Sequence, residues 1–303
     1  MHQGEESQSF KLEGFLMAFV ALMIVLQILL GNFPLSFVAF PVNVAIAMLW
    51  VAAIVILHRE MNDNPWIRLL SSGRCSLILL TLFVTGCLLI GLFVQSPDYR
   101  DDGFIGQLGL HSFTTSWIFV GILFLLMTNL LLVILRHPAG MKRHRIRFLL
   151  NHVGLWIVLL ASFFGSADTQ KVRVMALRDQ PTMESFDIGG KIKPLEIPIT
   201  FKTFKVDYFD NGMPSYYEAT LLLGKEMKRV EINHPCRMTW DTDLYLVNYD
   251  MEKGDETPYC VLEVVTQPWR YVTMLGIVMM ACGAVLLFIY GRDKTKKDDA
   301  DVG

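Results

Sequence analysis

The feature that most constrains this 303-residue chain is the spacing of its apolar runs. Six stretches, 15–30, 37–57, 75–94, 117–135, 148–167 and 271–290, approach the length that crosses a bilayer. A helical span needs about 20 residues to cover roughly 30 Å of hydrocarbon. The first run is the shortest, the fifth is interrupted by Asn151 and His152, and a polar block, 168–267, separates the last two. The fold class that follows is a polytopic α-helical membrane protein with six transmembrane helices and an insertion before the last. With 53% hydrophobic and only 18% charged residues, the chain is neither an ordinary soluble enzyme, nor disordered, nor a coiled coil.

A cleavable signal sequence is the competing reading of the first run. The residues before it include Glu5 and Glu6 and a single Lys11, not the basic stretch such a signal carries, so the run is read as a helix. Orientation follows from the short loops. Arg59, Arg68 and Arg74 fall in one, Arg136, Lys142, Arg143, Arg145 and Arg147 in another, and Arg292, Lys294, Lys296 and Lys297 in the tail. Loops of that kind stay in the cytoplasm. The opposite loops carry no Lys or Arg at 32–36 and only Arg100 between the third and fourth spans. Six crossings then leave both termini cytoplasmic and the polar block extracytoplasmic.

That block alternates with period two in "KVRVMAL", "EIPITFKTFKVDYF", "YEATLLLG", "KRVEINH", "DLYLVNY" and "YCVLEVV", the pattern of half-buried strands. An all-β extracytoplasmic domain, one small sandwich or barrel-like sheet, is expected. Asp210, Asn211 and Gly212 suit a hairpin turn, and 252–258 a longer polar loop. Residues 168–270 hold 13 Lys or Arg against 17 Asp or Glu, so there is no basic groove for nucleic acid.

Of five cysteines, Cys75, Cys87 and Cys282 fall in predicted spans as packing residues. Cys236 and Cys260 fall in the external block, where an oxidising compartment allows a disulfide; the other reading is two unpaired thiols. No CxxC or CxxCH occurs, and no Walker A, HExxH, GxSxG or EF-hand sequence, so the chain is not itself a c-type cytochrome and lacks the common catalytic signatures. The sixteen methionines are dispersed through the spans, as packing rather than as a copper site.

Seven histidines remain. His58, His137 and His144 sit among cations at the cytoplasmic border and read as interfacial, and His234 beside Pro235 reads as a solvated turn. His152 lies five residues past Arg147, about 7 Å deeper along a helix. An ionisable group at that depth is costly, faces protein, and marks a functional site by default. Imidazole is also a haem ligand. Trp156 at i+4, with Leu155, Leu159 and Phe163 along the same face, could wall a macrocycle, and Arg145 and Arg147 could pair with propionates. The alternative is a neutral histidine bonded to a neighbouring helix. His111, before the fourth span, is either a second ligand or a polar residue of an interfacial turn.

The run "NPWIRLLSSGRCSLILLTLFVTGCLLIG", then "SWIFVGILFLLMTNLLLVIL", then "FLLNHVGLWIVLLASFFGSAD", then an external block with "VEINHPCRMTWDTDLYLVNYD", then "TQPWRYV" and a last span, resembles the ResB/CcsB family of System II cytochrome c biogenesis. His152 matches the histidine opening that family's third span. Asn233 with Pro235 matches its strand turn, Tyr245 and Tyr249 its Tyr-rich strand, and Gln267, Pro268 and Trp269 the lead into its last span. The resemblance covers roughly residues 64–291. It implies two additional N-terminal helices (1–60), a three-helix core (61–167), an extracytoplasmic β domain (168–268), a last span (269–291) and a basic/acidic cytoplasmic tail (292–303).

The resemblance further implies a short, unfused subunit of a cytochrome c synthase complex in the bacterial inner (cytoplasmic) membrane. Its partner is a CcsA/CcsC-type tryptophan-rich membrane protein; this chain has no such motif. Haem b, held transiently by His152 and a partner histidine, passes outward and meets the CxxCH thiols of apocytochrome c. The substrate brings its own nucleophiles, so proximity and orientation matter more than a catalytic side chain. The β domain binds apocytochrome or braces the partner, extended peptide adding to a sheet edge. Two other classes stand beside this: a scaffold without haem, and a cytochrome b-like subunit needing paired histidines in its own spans. A transporter would show an internal repeat or broken helices, and neither is visible.

Overall fold

A computed structural model describes residues 2–96, 103–137 and 143–290. The tail at 292–303, Arg100 and Lys142 lie outside the described residues. The chain forms two compact units, one of Met1–Ala167 with Tyr271–Gly303 and one of Asp168–Arg270.

The first unit is helical: α1 (His2–Leu30), α2 (Val42–Glu60), α3 (Pro65–Leu70), α4 (Gly73–Leu92), α5 (Phe104–Gln107), α6 (Trp117–Arg136), α7 (Arg143–Asp168) and α8 (Arg270–Tyr290). Six of these, all but α3 and α5, are long and apolar enough to cross a membrane. The starts are set by caps. Asn64 accepts from the Trp66 N–H with Pro65 at the first helical position, Ser72 caps α4 through Cys75, and Ser116 caps α6 through Phe119, each satisfying an N–H that the helix cannot. The second span begins at Val42, not at residue 37. Pro34 and Pro41 bracket a 3-10 turn, Leu35–Val38, because proline cannot extend a helix that precedes it. Helix α1 is already formed before residue 15, and Glu13 within it pairs with Arg74 of α4 at 2.6 Å.

Helix α6 is the hub of the unit, half of its apolar window being buried. Phe124 takes edge contacts from Trp50, Phe163 and Phe164, and the buried Asn129 donates to the Leu70 carbonyl at the end of α3. The buried Gln27 of α1 accepts from the Trp117 N–H at 2.9 Å and donates to Asn32; Gly109, at φ +70°, lies against it. Helix α8 docks on α7 through glycine. A Cβ on Gly154 would stand 2.8 Å from the Gly276 carbonyl oxygen, one on Gly276 2.7 Å from that of Gly154, and one on Gly283 2.7 Å from the Asn151 amide. Close backbone approach of this kind is how helices associate where lipid removes the hydrophobic drive between them. Large apolar side chains such as Phe288, Leu29 and Leu92 point outward, as a lipid-facing surface requires.

The second unit is an eight-stranded antiparallel sheet. Its strands are β1 (Gln170–Leu177), β2 (Pro181–Phe186), β3 (Ile192–Tyr208), β4 (Pro214–Leu223), β5 (Glu226–Glu231), β6 (Cys236–Arg237), β7 (Thr242–Tyr249) and β8 (Tyr259–Thr266). The spatial order is β5-β4-β3-β2-β1-β8-β7-β6. Consecutive strands pair except β5 with β6, which stand at opposite ends of the order, and β8 pairs with both β7 and the distant β1. Alternate residues face one core: Val174, Ala176, Ile199, Phe201, Leu221, Val230, Leu244 and Leu262 are fully buried. The outermost strands, β5 and β6, are consecutive in the chain, and the short turn between them carries a Glu231–His234 bridge. The β3–β4 turn is the expected one, with Gly212 at φ +79° and Asn211 accepting from the Met213 N–H. The Trp269 indole donates to Asp168 at 2.6 Å, and Arg270 pairs with Asp243, tying the two chain ends of this unit together.

Candidate functional site

The candidate site lies in the first two turns of α7. His152 turns its Nδ1 to the Phe148 carbonyl oxygen at 2.9 Å. A carbonyl can only accept, so Nδ1 carries the proton and the lone pair of the neutral ring sits on Nε2, the nitrogen offered to a metal. This is the orientation that a histidine ligand gets from a backbone partner, here supplied by its own helix.

Side chains pack both sides of this turn. The Phe148 ring stacks on His152 at 3.9 Å between centroids and on His137 at 4.0 Å, both at 23°. One benzene ring thus separates two imidazoles. His137 is the residue that ends α6, with extended backbone at φ −66° and ψ 129°, and its ring folds back over α7. Read from the sequence as interfacial, it belongs to the site. Nothing in its flanking residues signals this, because the juxtaposition depends on α6 and α7 meeting at their basic ends.

One turn beyond His152, Trp156 stacks on Trp50 of α2 at 6.1 Å and 11°, and its indole N–H donates to the Met127 carbonyl at 3.2 Å. Further along, Leu159 and Phe163 are buried, Phe163 against Phe33, Phe124 and Phe164. The apolar wall expected along this face is therefore filled by protein beyond Trp156. Asn151, the other polar residue of the span, faces α8 at Gly283 and bonds to the Arg147 carbonyl.

Arg145 lies seven residues before His152, on the same helical face, and is half-buried. Arg147 is 6% exposed. Both cations thus stand at the end of α7 nearest the imidazole, where an anionic group attached to an iron-bound ring would find them. His111 is elsewhere. It sits before α6, in the 3-10 segment Leu110–Thr115, with Nδ1 on the Val94 carbonyl at 3.0 Å and its ring edge-on to Phe93. His137 ends the same helix, so His111 and His152 are separated by most of the length of α6, about 25 Å at 1.5 Å per residue. No group of three or more His, Cys, Asp or Glu is close enough to hold a bare metal ion among the described residues.

In the β unit, Cys236 and Cys260 are free thiols. The registers keep them apart: Cys236 lies opposite Leu244 and Leu244 opposite Val264, whereas Cys260 lies opposite Tyr249 and Ala176. The disulfide reading is set aside. Burial pushes the Cys260 thiol up to about 12 and that of Cys236 upward as well, so neither is primed for thiolate chemistry. Tyr249 is buried against Phe204 at 4.5 Å and Tyr245 faces outward, while Asn233, at φ +60°, forms the turn before Pro235. His234 is exposed and bonds only locally, to the Ile232 carbonyl. The unit also holds a cavity of about 380 Å³, lined among others by Val172, Ser185, Leu195, Trp240, Thr242 and Thr266.

Residues 141–258 match the ResB-like family, a shorter reach than the resemblance read along the sequence. The matched segment holds Arg145, Arg147, His152 and Trp156 and leaves out His111. Among solved structures, the chain is similar to one described as cytochrome c heme lyase CcmF, at 14% identity and a TM-score of 0.35, over 81% of this chain and 44% of that one. The chain thus spans less than half the length of that relative. No curated protein matches.

Proposed function

We propose, from the ResB-like match over residues 141–258, that this chain is a membrane subunit of cytochrome c biogenesis that handles haem on its way to apocytochrome c. The observation that carries the reading is the contact of His152 Nδ1 with the Phe148 carbonyl oxygen at 2.9 Å. Its Nδ1 is committed to the Phe148 carbonyl, leaving Nε2 as a fixed donor inside a span where an imidazole without a role is costly. In this reading the protein lies in the bacterial inner membrane with both termini in the cytoplasm, since the basic residues cluster at one end of the spans.

Haem, when bound, supplies an iron that accepts imidazole nitrogen and vinyl groups that accept thiols. The chain's part is to bind and orient. His152 would hold the iron through its imidazole, Arg145 and Arg147 would pair with the propionates at the basic end of α7, and the Trp156–Trp50 stack would close the site toward the interior. A CcsA-type partner completes the complex with a second histidine and the tryptophan-rich motif that this chain lacks. The β unit receives apocytochrome or braces the partner. Its outer strands, β5 and β6, offer edges to an extended peptide, and its cavity of about 380 Å³ offers room for a side chain. Deletion of residues 180–260 with normal assembly and normal cytochrome maturation would remove that part of the proposal.

The test is the reduced-minus-oxidised absorption spectrum of the purified protein, alone and with a CcsA-type partner, for wild type and His152→Ala. Soret and α bands that depend on His152 are expected. Haem undiminished in the variant moves the ligand elsewhere, with His111 next to examine. No haem in any preparation leaves a scaffold.

A further inference from the structure

Two helices of the membrane unit leave a groove between them that the haem reading does not use. Helices α1 and α4 both pack against α6 and meet at one end, where Arg74 donates to Glu13 at 2.6 Å. Past that pair lies a groove of about 470 Å³, lined by Leu16, Val20, Ala21 and Ile24 of α1 and by Ile78 and Leu82 of α4. The spacing puts Glu13 and these α1 residues on one helical face, and Arg74, Ile78 and Leu82 on one face of α4. Every lining side chain beyond Glu13 is apolar. We propose that the groove holds one acyl chain of a phospholipid whose head carries a phosphate and a primary ammonium, the head resting on the Arg74–Glu13 pair.

Depth and charge select this occupant. From Glu13 to Ile24 is eleven residues, about 16 Å at 1.5 Å per residue, or half of the roughly 30 Å of hydrocarbon in a bilayer. The groove therefore spans one leaflet, the reach of an acyl chain, whereas a partner's transmembrane helix would need a track across both. Just beyond Ile24, the buried Gln27 bonds to the Trp117 N–H and ties α1 to the start of α6. The polar end carries both signs at half exposure, 56% for the Arg74 side chain and 46% for that of Glu13. A guanidinium has N–H donors to spare after one bond to a carboxylate, and they suit phosphate, while the carboxylate beside it suits an ammonium. A head with phosphate alone would meet Glu13 as a like charge. In the orientation proposed above, this is the cytoplasmic leaflet.

Full-length protein extracted in mild detergent is stripped of lipid, mixed with phosphatidylethanolamine, phosphatidylcholine or phosphatidylglycerol, and examined by native mass spectrometry. One phosphatidylethanolamine per chain should be retained, about tenfold more tightly than the other two, because choline has no N–H to donate and glycerol no charge. Arg74→Gln should weaken it about tenfold, the scale of one charged hydrogen bond, and Glu13→Gln should abolish the preference among heads. Ala21→Trp, which fills the middle of the groove and leaves the ion pair alone, should remove lipid of every head group. Circular dichroism checks the fold of each variant, and Ala21→Trp decides the matter if the charge variants misfold. Equal retention of the three lipids, or lipid undiminished in Ala21→Trp, overturns the inference and leaves only annular contact. A CcsA-type partner that crosslinks to Ala21→Cys and releases the lipid makes the groove a helix seat and overturns it too. Lipid retention should be unchanged in His152→Ala, so this outcome stands apart from that of the haem reading.

Discussion

Gly154 and Gly276 make a reciprocal contact whose strength can be worked out from distances. A methyl on either would face the other's carbonyl oxygen at 2.8 or 2.7 Å, where ordinary contact begins at 3.4 Å. Neither oxygen is a flexible side-chain end, so α7 and α8 must part by about 0.6 Å. A gap of that size forfeits about a quarter of each dispersion contact along the interface, and overpacking of this type costs about 1–3 kcal/mol. Helix propensity returns up to about 1 kcal/mol for Gly→Ala, leaving roughly 1–2 kcal/mol lost in each single variant. The second methyl enters a gap that the first has opened. Gly154→Ala with Gly276→Ala should therefore cost little more than the worse single change, a coupling of about 1 kcal/mol or more in a double-mutant cycle. Thermal unfolding in detergent, followed by tryptophan fluorescence, reads all four proteins. Two neutral single variants, or strictly additive losses, would refute the idea that backbone contact at this pair sets the helix spacing.

Three further outcomes follow from the same geometry. Trp156→Phe loses the bond to the Met127 carbonyl and the larger face of the Trp50 stack, and should cost roughly 1–2 kcal/mol in the same assay, with less effect when Trp50 is already leucine. Gly109→Ala forces a side chain onto φ +70° with its Cβ 2.6 Å from the Gln27 amide and 2.7 Å from Asn32 Oδ1; it should lower stability by about 1–2 kcal/mol, and pairing it with Gln27→Ala should relieve only part of the clash and none of the backbone strain. Cys260 has an ordinary thiol pKa of 9.0 raised by burial to about 12. Its contribution is constant below pH 9 and is lost as pH rises from 9 toward 12, by about 1.4 kcal/mol per unit, because only the unfolded thiol ionises there; Cys260→Ala should flatten that alkaline limb of the stability profile.

What the sequence announced and what it concealed divide along range of interaction. The six spans were legible because length and apolarity are properties of one segment. Their edges slipped where a single residue decided, as at Pro41. Six strands were readable from alternation. β2, beginning with Pro181 and lacking a clean period, and β6, two residues long, were not, and the placing of β8 between β1 and β7 has no local signature. His152 stood out because an imidazole among aliphatics is costly. His137 did not, since its neighbours in sequence are cations and its neighbours in space, Phe148 and His152, come from the next helix. Phe163 was visible on the right face as a possible wall, and in the structure it packs against Phe33, Phe124 and Phe164.

The pairing of β1 with β8 has a temporal consequence. Its partners run from Gln170 with Thr266 to Leu177 with Tyr259, so the first strand to leave the ribosome waits for the last. The hairpins of β3, β4 and β5 close locally and can form early, but β1 stays unmated on its long side through nearly the whole synthesis of the unit. Contacts this distant in sequence slow folding and expose a nascent strand meanwhile. Since β8 is followed within a few residues by α8, completion of the sheet and emergence of the final helix are nearly the same event on the nascent chain.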